Sequence, residues 1–183
     1  MTTITQFITA EEFMNMPEPT DGSKQELVRG EIVTMPPIQS EHGLVQGQIL
    51  WLLKNLVTPN RLGWVMPEAG VCVETDPDTV RGPDVSYYSI SRVPNRPQGY
   101  NRIPPDIVVE VLSPNDRRRA IQEKISEYIT AGTTLVWVVD PMARTVMVYN
   151  SNLRGVELGE NDTITGGDVL PGFACQVAEF FAD

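Results

Sequence analysis

Ile107-Val108-Val109-Glu110-Val111-Leu112 is the stretch on which the fold turns. The run is rich in β-branched residues, follows Pro104-Pro105-Asp106 and stops at Ser113-Pro114, so it reads as a buried strand. Side chains alternate along a strand, which places Val108, Glu110 and Leu112 on one face. A carboxylate there is costly unless it is paired, protonated or bound to a metal. Glu110 is therefore either half of a buried ion pair or a metal ligand, and the strand by itself leaves both readings open.

Working downstream, residues 118–131 read as a helix ended by Gly132. Ile121, Lys124, Ile125 and Tyr128 follow i, i+3, i+4, i+7 spacing, so Lys124 lies on the inward stripe. A lysine there either snorkels outward along its stem or meets a buried acid. The short connection through Ser113-Pro114 packs this helix against the sheet that carries Glu110, where the two charges can meet. Leu135–Val139 and Thr145–Tyr149 then read as two strands joined by a turn at Asp140-Pro141-Met142-Ala143-Arg144. The tail ends in an apolar patch, Val177, Phe180 and Phe181, which either closes the core or forms an interface.

Working upstream, Asp84-Val85-Ser86-Tyr87-Tyr88 is the preceding strand. Asp84 follows Pro83 and reads either as a turn aspartate or as a second site acid. Residues 91–105 carry four prolines and three arginines and read as an exposed loop. Candidate strands lie around Gly63–Met66 and Gly70–Glu74. Val45, Ile49, Leu52, Leu53 and Leu56 mark a helix over 40–57, with His42 on the inward side of its first turn. Gln25–Val28 and Glu31–Met35 flank Arg29-Gly30 as an N-terminal hairpin. Thr9-Ala10-Glu11-Glu12 is a capping box opening a short helix.

The whole chain bounds the class. Its 183 residues, 41% hydrophobic and 21% charged, suit one domain spanning 1–183, and neither a repeat nor a linker is visible. No stretch approaches the roughly 20 apolar residues of a membrane span. Met1–Gln6 lacks the basic and apolar segments of a leader. Cys72 and Cys175 have no zinc spacing, and a cytoplasmic location with reduced thiols is expected. The net charge of −10 argues against a general nucleic-acid coat protein. Residues 81–124 nevertheless carry +3 against −13 for the remainder, which allows a local basic face. Arg117-Arg118-Arg119 is either a solvated run or a phosphate contact. Trp137 lies within an apolar strand and reads as core. Ser113 reads as a helix-start residue, because the chain has one histidine and no Gly-x-Ser-x-Gly turn.

One acid at a strand start, one acid inside a later strand and one lysine nearby match a known chemical device. Two carboxylates can hold a hard divalent cation, and an ammonium can steady phosphate charge or orient a water.

An ordered set of segments then carries a resemblance. These are 25–33 (QELVRGEIV), Pro36-Pro37 with His42, Arg81-Gly82-Pro83-Asp84-Val85, 105–114 (PDIVVEVLSP), Glu123-Lys124 with Tyr128, Val136–Pro141 and Leu170-Pro171-Gly172-Phe173. Together they resemble the Uma2 family of endonucleases, also called DUF820 and abundant in cyanobacteria, over nearly the whole chain. The resemblance implies the PD-(D/E)XK, restriction-endonuclease-like fold: an α/β (α+β) core with a mixed central sheet flanked by helices, here with an extra N-terminal hairpin. It implies DNA as substrate, Mg²⁺ or Mn²⁺ as cofactor, and dimers in which each subunit cuts one strand. Asp84 and Glu110 match the two metal-binding acids. The usual lysine two residues after the second acid is replaced by Leu112, and Lys124 on the next helix stands in for it. Glu26 and His42 match family positions as well, Glu26 as an outer carboxylate or a hairpin surface acid, His42 as a site residue or a satisfied N-terminal histidine. The departure at Leu112 keeps a second expectation alive, a non-catalytic nucleic-acid-binding or regulatory module on the same fold.

Overall fold

A computed structural model of the chain describes residues 7–114 and 116–182. The leader reading of Met1–Gln6 lies outside the described residues. In chain order, α1 (Ala10–Met14) is followed by β1 (Lys24–Val28), β2 (Glu31–Met35) and α2 (Ser40–Val57). Next come β3 (Gly63–Pro67), β4 (Val71–Glu74), β5 (Thr79–Arg81), β6 (Val85–Ser89) and β7 (Ile107–Val111). Then follow α3 (Arg118–Ala131), β8 (Leu135–Asp140), β9 (Thr145–Tyr149), β10 (Val156–Leu158), β11 (Thr163–Gly166) and β12 (Leu170–Gln176), with a 3₁₀ turn at Val177–Phe181.

β7 is the hub. It is buried at every position and sits inside a six-stranded mixed sheet of order β10-β9-β8-β7-β6-β3. The β7–β8 pair is parallel because α3 carries the chain back between them, and the other pairs are antiparallel. Alternation sorts its side chains between two cores. Val109 and Val111 pack with Trp137 and Val139 against Val45, Ile49 and Leu53 of α2. Val108 packs with Val136 and Val138 against Ile125 and Tyr128 of α3. Helices therefore cover both faces, and Glu110 points into the α3 side among valines. α3 stops at Gly132, whose φ of 108° is the left-handed cap conformation that disfavours any side chain.

The hairpin β1–β2 is not a free appendage. It belongs to a second, four-stranded sheet of order β2-β1-β5-β4, sealed by Ala10, Phe13, Leu27 and Val80. The chain crosses from this sheet to the large one through Gly82-Pro83, and Asp84 stands at the crossing, one residue ahead of β6. Register places Val85 opposite Val109. Continued by one residue, that register sets Asp84 beside Glu110.

The structure adds detail to the loop and the tail. The 91–105 segment is the exposed loop expected, and it is anchored: Val93 and Asn101 are buried, Asn101 bridges Val71, and Arg92 pairs with Asp106 at 2.9 Å while donating to the carbonyls of Pro104 and Gly132. The tail forms strands β10, β11 and β12 that the sequence did not signal. Val177 and Phe180 are fully buried and close the α2-side core, with the Phe173 and Phe180 rings 5.6 and 6.1 Å from Trp137.

Candidate active site

Where the two sheets meet, α3 lies between them and Lys124 spans the gap. Its Nζ donates to Glu110 Oε2 at 3.1 Å on the large sheet and lies 3.0 Å from Glu26 Oε1 on the small one. Tyr128, one turn further along α3, donates its hydroxyl to Glu110 Oε1 at 2.7 Å. The i, i+4 spacing of Lys124 and Tyr128 is what aims both at one carboxylate. Lys124 does not snorkel outward, and Glu26 is a buried acid rather than a surface one.

Glu26 is held from three sides. Arg81 Nη1 donates to Oε2 at 2.8 Å, and the Gly82 backbone N–H donates to Oε1 at 3.1 Å. Arg81 also forks onto Glu127 at 2.6 and 3.0 Å. The small sheet is thus tied to α3 by two adjoining ion pairs.

Asp84 is equally constrained. Its Oδ2 accepts the Val111 N–H at 2.7 Å, a bond linking the Asp84 crossing to the end of β7. Its Oδ1 lies 3.5 Å from Lys24 Nζ and 3.2 Å from His42 Nε2. The His42 ring is placed by Nδ1, which is 3.1 Å from Ser113 Oγ. Its buried Nε2 faces the Asp84 carboxylate across that distance. Gln46, one turn along α2, donates to the Asp84 carbonyl at 3.0 Å and to Glu68 at 3.2 Å.

The electrostatics of the three acids differ. Burial pushes Asp84 up, but His42, Lys24 and the Val111 N–H outweigh it and hold its carboxyl below the ordinary range. Burial likewise opposes Glu26, and Lys124, Arg81 and the Gly82 N–H together pull it down. Glu110 goes the other way. Its burial is the largest influence, Lys124 pulls against it, and the negative charges of Asp84 and Glu26 add to the rise. Lys124, though desolvated, is held above its ordinary value by Glu110 and Glu26.

All five residues singled out by the sequence therefore converge on one place: Asp84, Glu110, Lys124, Glu26 and His42. Three contributors were missed there. Lys24 is on the same strand face as Glu26, two residues away, and that alternation was the available signal. Gln46 shares the inward stripe of α2 with His42, Val45 and Ile49, and that spacing was its signal, whereas Arg81 carried none beyond its neighbours. Arg117, Arg118 and Arg119 are exposed at the start of α3, where the first turn holds no acid. Leu112 packs at the edge of the α3-side core.

The donor set suits a hard cation. Asp84 and Glu110 face each other as two carboxylates, and each oxygen keeps a lone pair beyond the hydrogen bond it accepts from Val111, Lys124 or Tyr128. No cluster of three or more His, Cys, Asp or Glu suited to a metal occurs among the described residues. An ion at the two acids would fill its remaining positions with water or substrate oxygens, as small hard cations do.

This fold is shared with a solved structure from Anabaena variabilis ATCC 29413, described as a putative nuclease belonging to DUF820. That structure matches with a TM-score of 0.82 and 24% identity over 95% of this chain and 97% of that one. The family model Uma2, described as "Putative restriction endonuclease", matches residues 10–178, and the chain belongs to the Uma2 family. No curated protein matches it. No helix among the described residues is long and apolar enough to cross a membrane.

Proposed function

We propose that this chain is a divalent-metal-dependent endonuclease hydrolysing DNA phosphodiester bonds, with Mg²⁺ or Mn²⁺ held by Asp84 and Glu110. The observation that carries the reading is the contact of Lys124 with Glu110, 3.1 Å apart beside a second buried acid. The bound cation would supply Lewis-acid charge at the phosphate and acidify a coordinated water. The side chains do the rest. An ammonium has three donors. Glu110 and Glu26 take two on Lys124, leaving one for the attacking water or a phosphate oxygen. Tyr128 and the Val111 N–H fix the rotamers of Glu110 and Asp84, and His42 and Lys24 keep Asp84 ionised. Arg117, Arg118 and Arg119 stand at a helix N-terminus, where cations oppose the helix dipole and a phosphate would complement it. In this reading they position the DNA backbone.

A second reading, a nucleic-acid-binding module without catalysis, draws on Leu112 in the usual lysine position and on the double pairing of Lys124. The two separate in one assay. A nuclease cuts plasmid in Mg²⁺ or Mn²⁺ and stops on chelation. A binding module retards the same DNA uncut.

A further inference from the structure

The C-terminal aromatic patch is consumed by the core, yet a different apolar face remains uncovered. On α2 the inward residues His42, Val45, Gln46, Ile49 and Leu53 leave Glu41, Leu44, Gly47, Trp51 and Lys54 on the outer side. Leu44 is 66% exposed and Trp51 55% exposed. A tryptophan and a leucine one above the other are an unusual load for a solvent face. Between them a Cβ on Gly47 would meet nothing within 4 Å, so the stripe has a flat, open centre.

The order of residues along this stripe is self-complementary. Taken outward from a midpoint between Gly47 and Gln48, Leu44 is matched by Trp51, and Glu41 by Lys54. An antiparallel copy of the helix laid on this face sets each Leu44 against a partner Trp51. It also brings each acidic first turn to a basic last turn. A two-fold axis requires such pairing, in which i meets j and j meets i. The glycine at the centre permits the close approach that helix packing needs. Opposed helix dipoles add to the match.

We propose that the outer face of α2 is the contact between two copies of this chain, packed antiparallel about Gly47. One helix stripe is a small interface, so association in the range of about 1–100 μM is expected. The site residues His42 and Gln46 lie on the opposite side of the same helix, so the contact leaves them free.

The test is sedimentation equilibrium across protein concentration, with far-UV circular dichroism to check the fold. The wild-type chain should approach twice its 20.3 kDa mass. Trp51→Glu, a change at an exposed position, should weaken association by about a hundredfold or more. Glu41→Lys and Lys54→Glu should each weaken it by about fivefold, and the double reversal should restore it. A wild-type chain that stays at 20.3 kDa near 1 mM, far above the expected range, overturns the proposal and leaves the face to another partner. So does a folded Trp51→Glu variant that associates like wild type, or a double reversal no better than its singles. None of these outcomes depends on nuclease activity.

Discussion

Lys124 on α3 meets Glu110 on β7 at 3.1 Å, and the lysine is the cation that faces this buried acid. The acid is 4% exposed among valines, and the lysine lies between two sheets with a second acid at 3.0 Å. Breaking a buried pair by removing one partner costs about 3–5 kcal/mol, because the other charge is left uncompensated. Lys124→Ala should therefore lower unfolding free energy in urea by that order and also abolish metal-dependent cleavage. A variant with normal stability would mean that Glu110 is neutral and that the pair is not ionic.

Tyr128 supplies the other hydrogen bond to Glu110. Tyr128→Phe removes one buried donor, worth about 1–3 kcal/mol. Orienting partners of a ligand typically change metal affinity by about tenfold or more. The half-saturating Mg²⁺ concentration for cleavage should rise by that factor with little change in the maximal rate. An unchanged Mg²⁺ dependence would show that the Tyr128 contact does not organise the site.

The α3 arginines give a salt-dependent signature. Removing one phosphate-binding cation should reduce the slope of log affinity against log salt by about 0.9 for duplex DNA. Arg118→Ala should weaken binding uniformly across sequences and lower the slope by that amount. Equal slopes for the variant and wild type would return Arg118 to the solvated surface.

Acid stability follows from Glu26 and Asp84. Both have folded values below their ordinary ones of 4.5 and 3.8, so the folded state binds fewer protons than the unfolded chain in that range. Their contribution is complete above those ordinary values and is lost as pH falls through the lowered folded values. Glu26→Gln should flatten the acid limb of the stability curve while leaving its alkaline limb unchanged. An identical acid limb would place the linkage elsewhere.

How much of this was legible depended on whether local pattern coincided with tertiary need. β7, α2 and α3 were readable because their apolar periods are those of buried elements. Lys124 was readable because its spacing put it on the same stripe as Ile121, Ile125 and Tyr128. β5 and β10 have three residues each, too few for alternation to show. The strand pair β11–β12 is broken by a register shift at Thr165/Gly166, which hides its period. The 91–105 loop is exposed as read, but its anchoring through the Arg92 guanidinium to Asp106 and two carbonyls has no local pattern to show it. Lys24 went unseen because its role depends on Asp84, sixty residues away.

The central claim is most directly tested by plasmid and single-strand cleavage in Mg²⁺ or Mn²⁺, comparing wild type with Asp84→Ala and Glu110→Ala. The account predicts cleavage by wild type, loss in both variants while they remain folded, and loss on chelation. Cleavage by Glu110→Ala at the wild-type rate, or a wild-type chain that binds DNA without cutting it under any of these conditions, would contradict it.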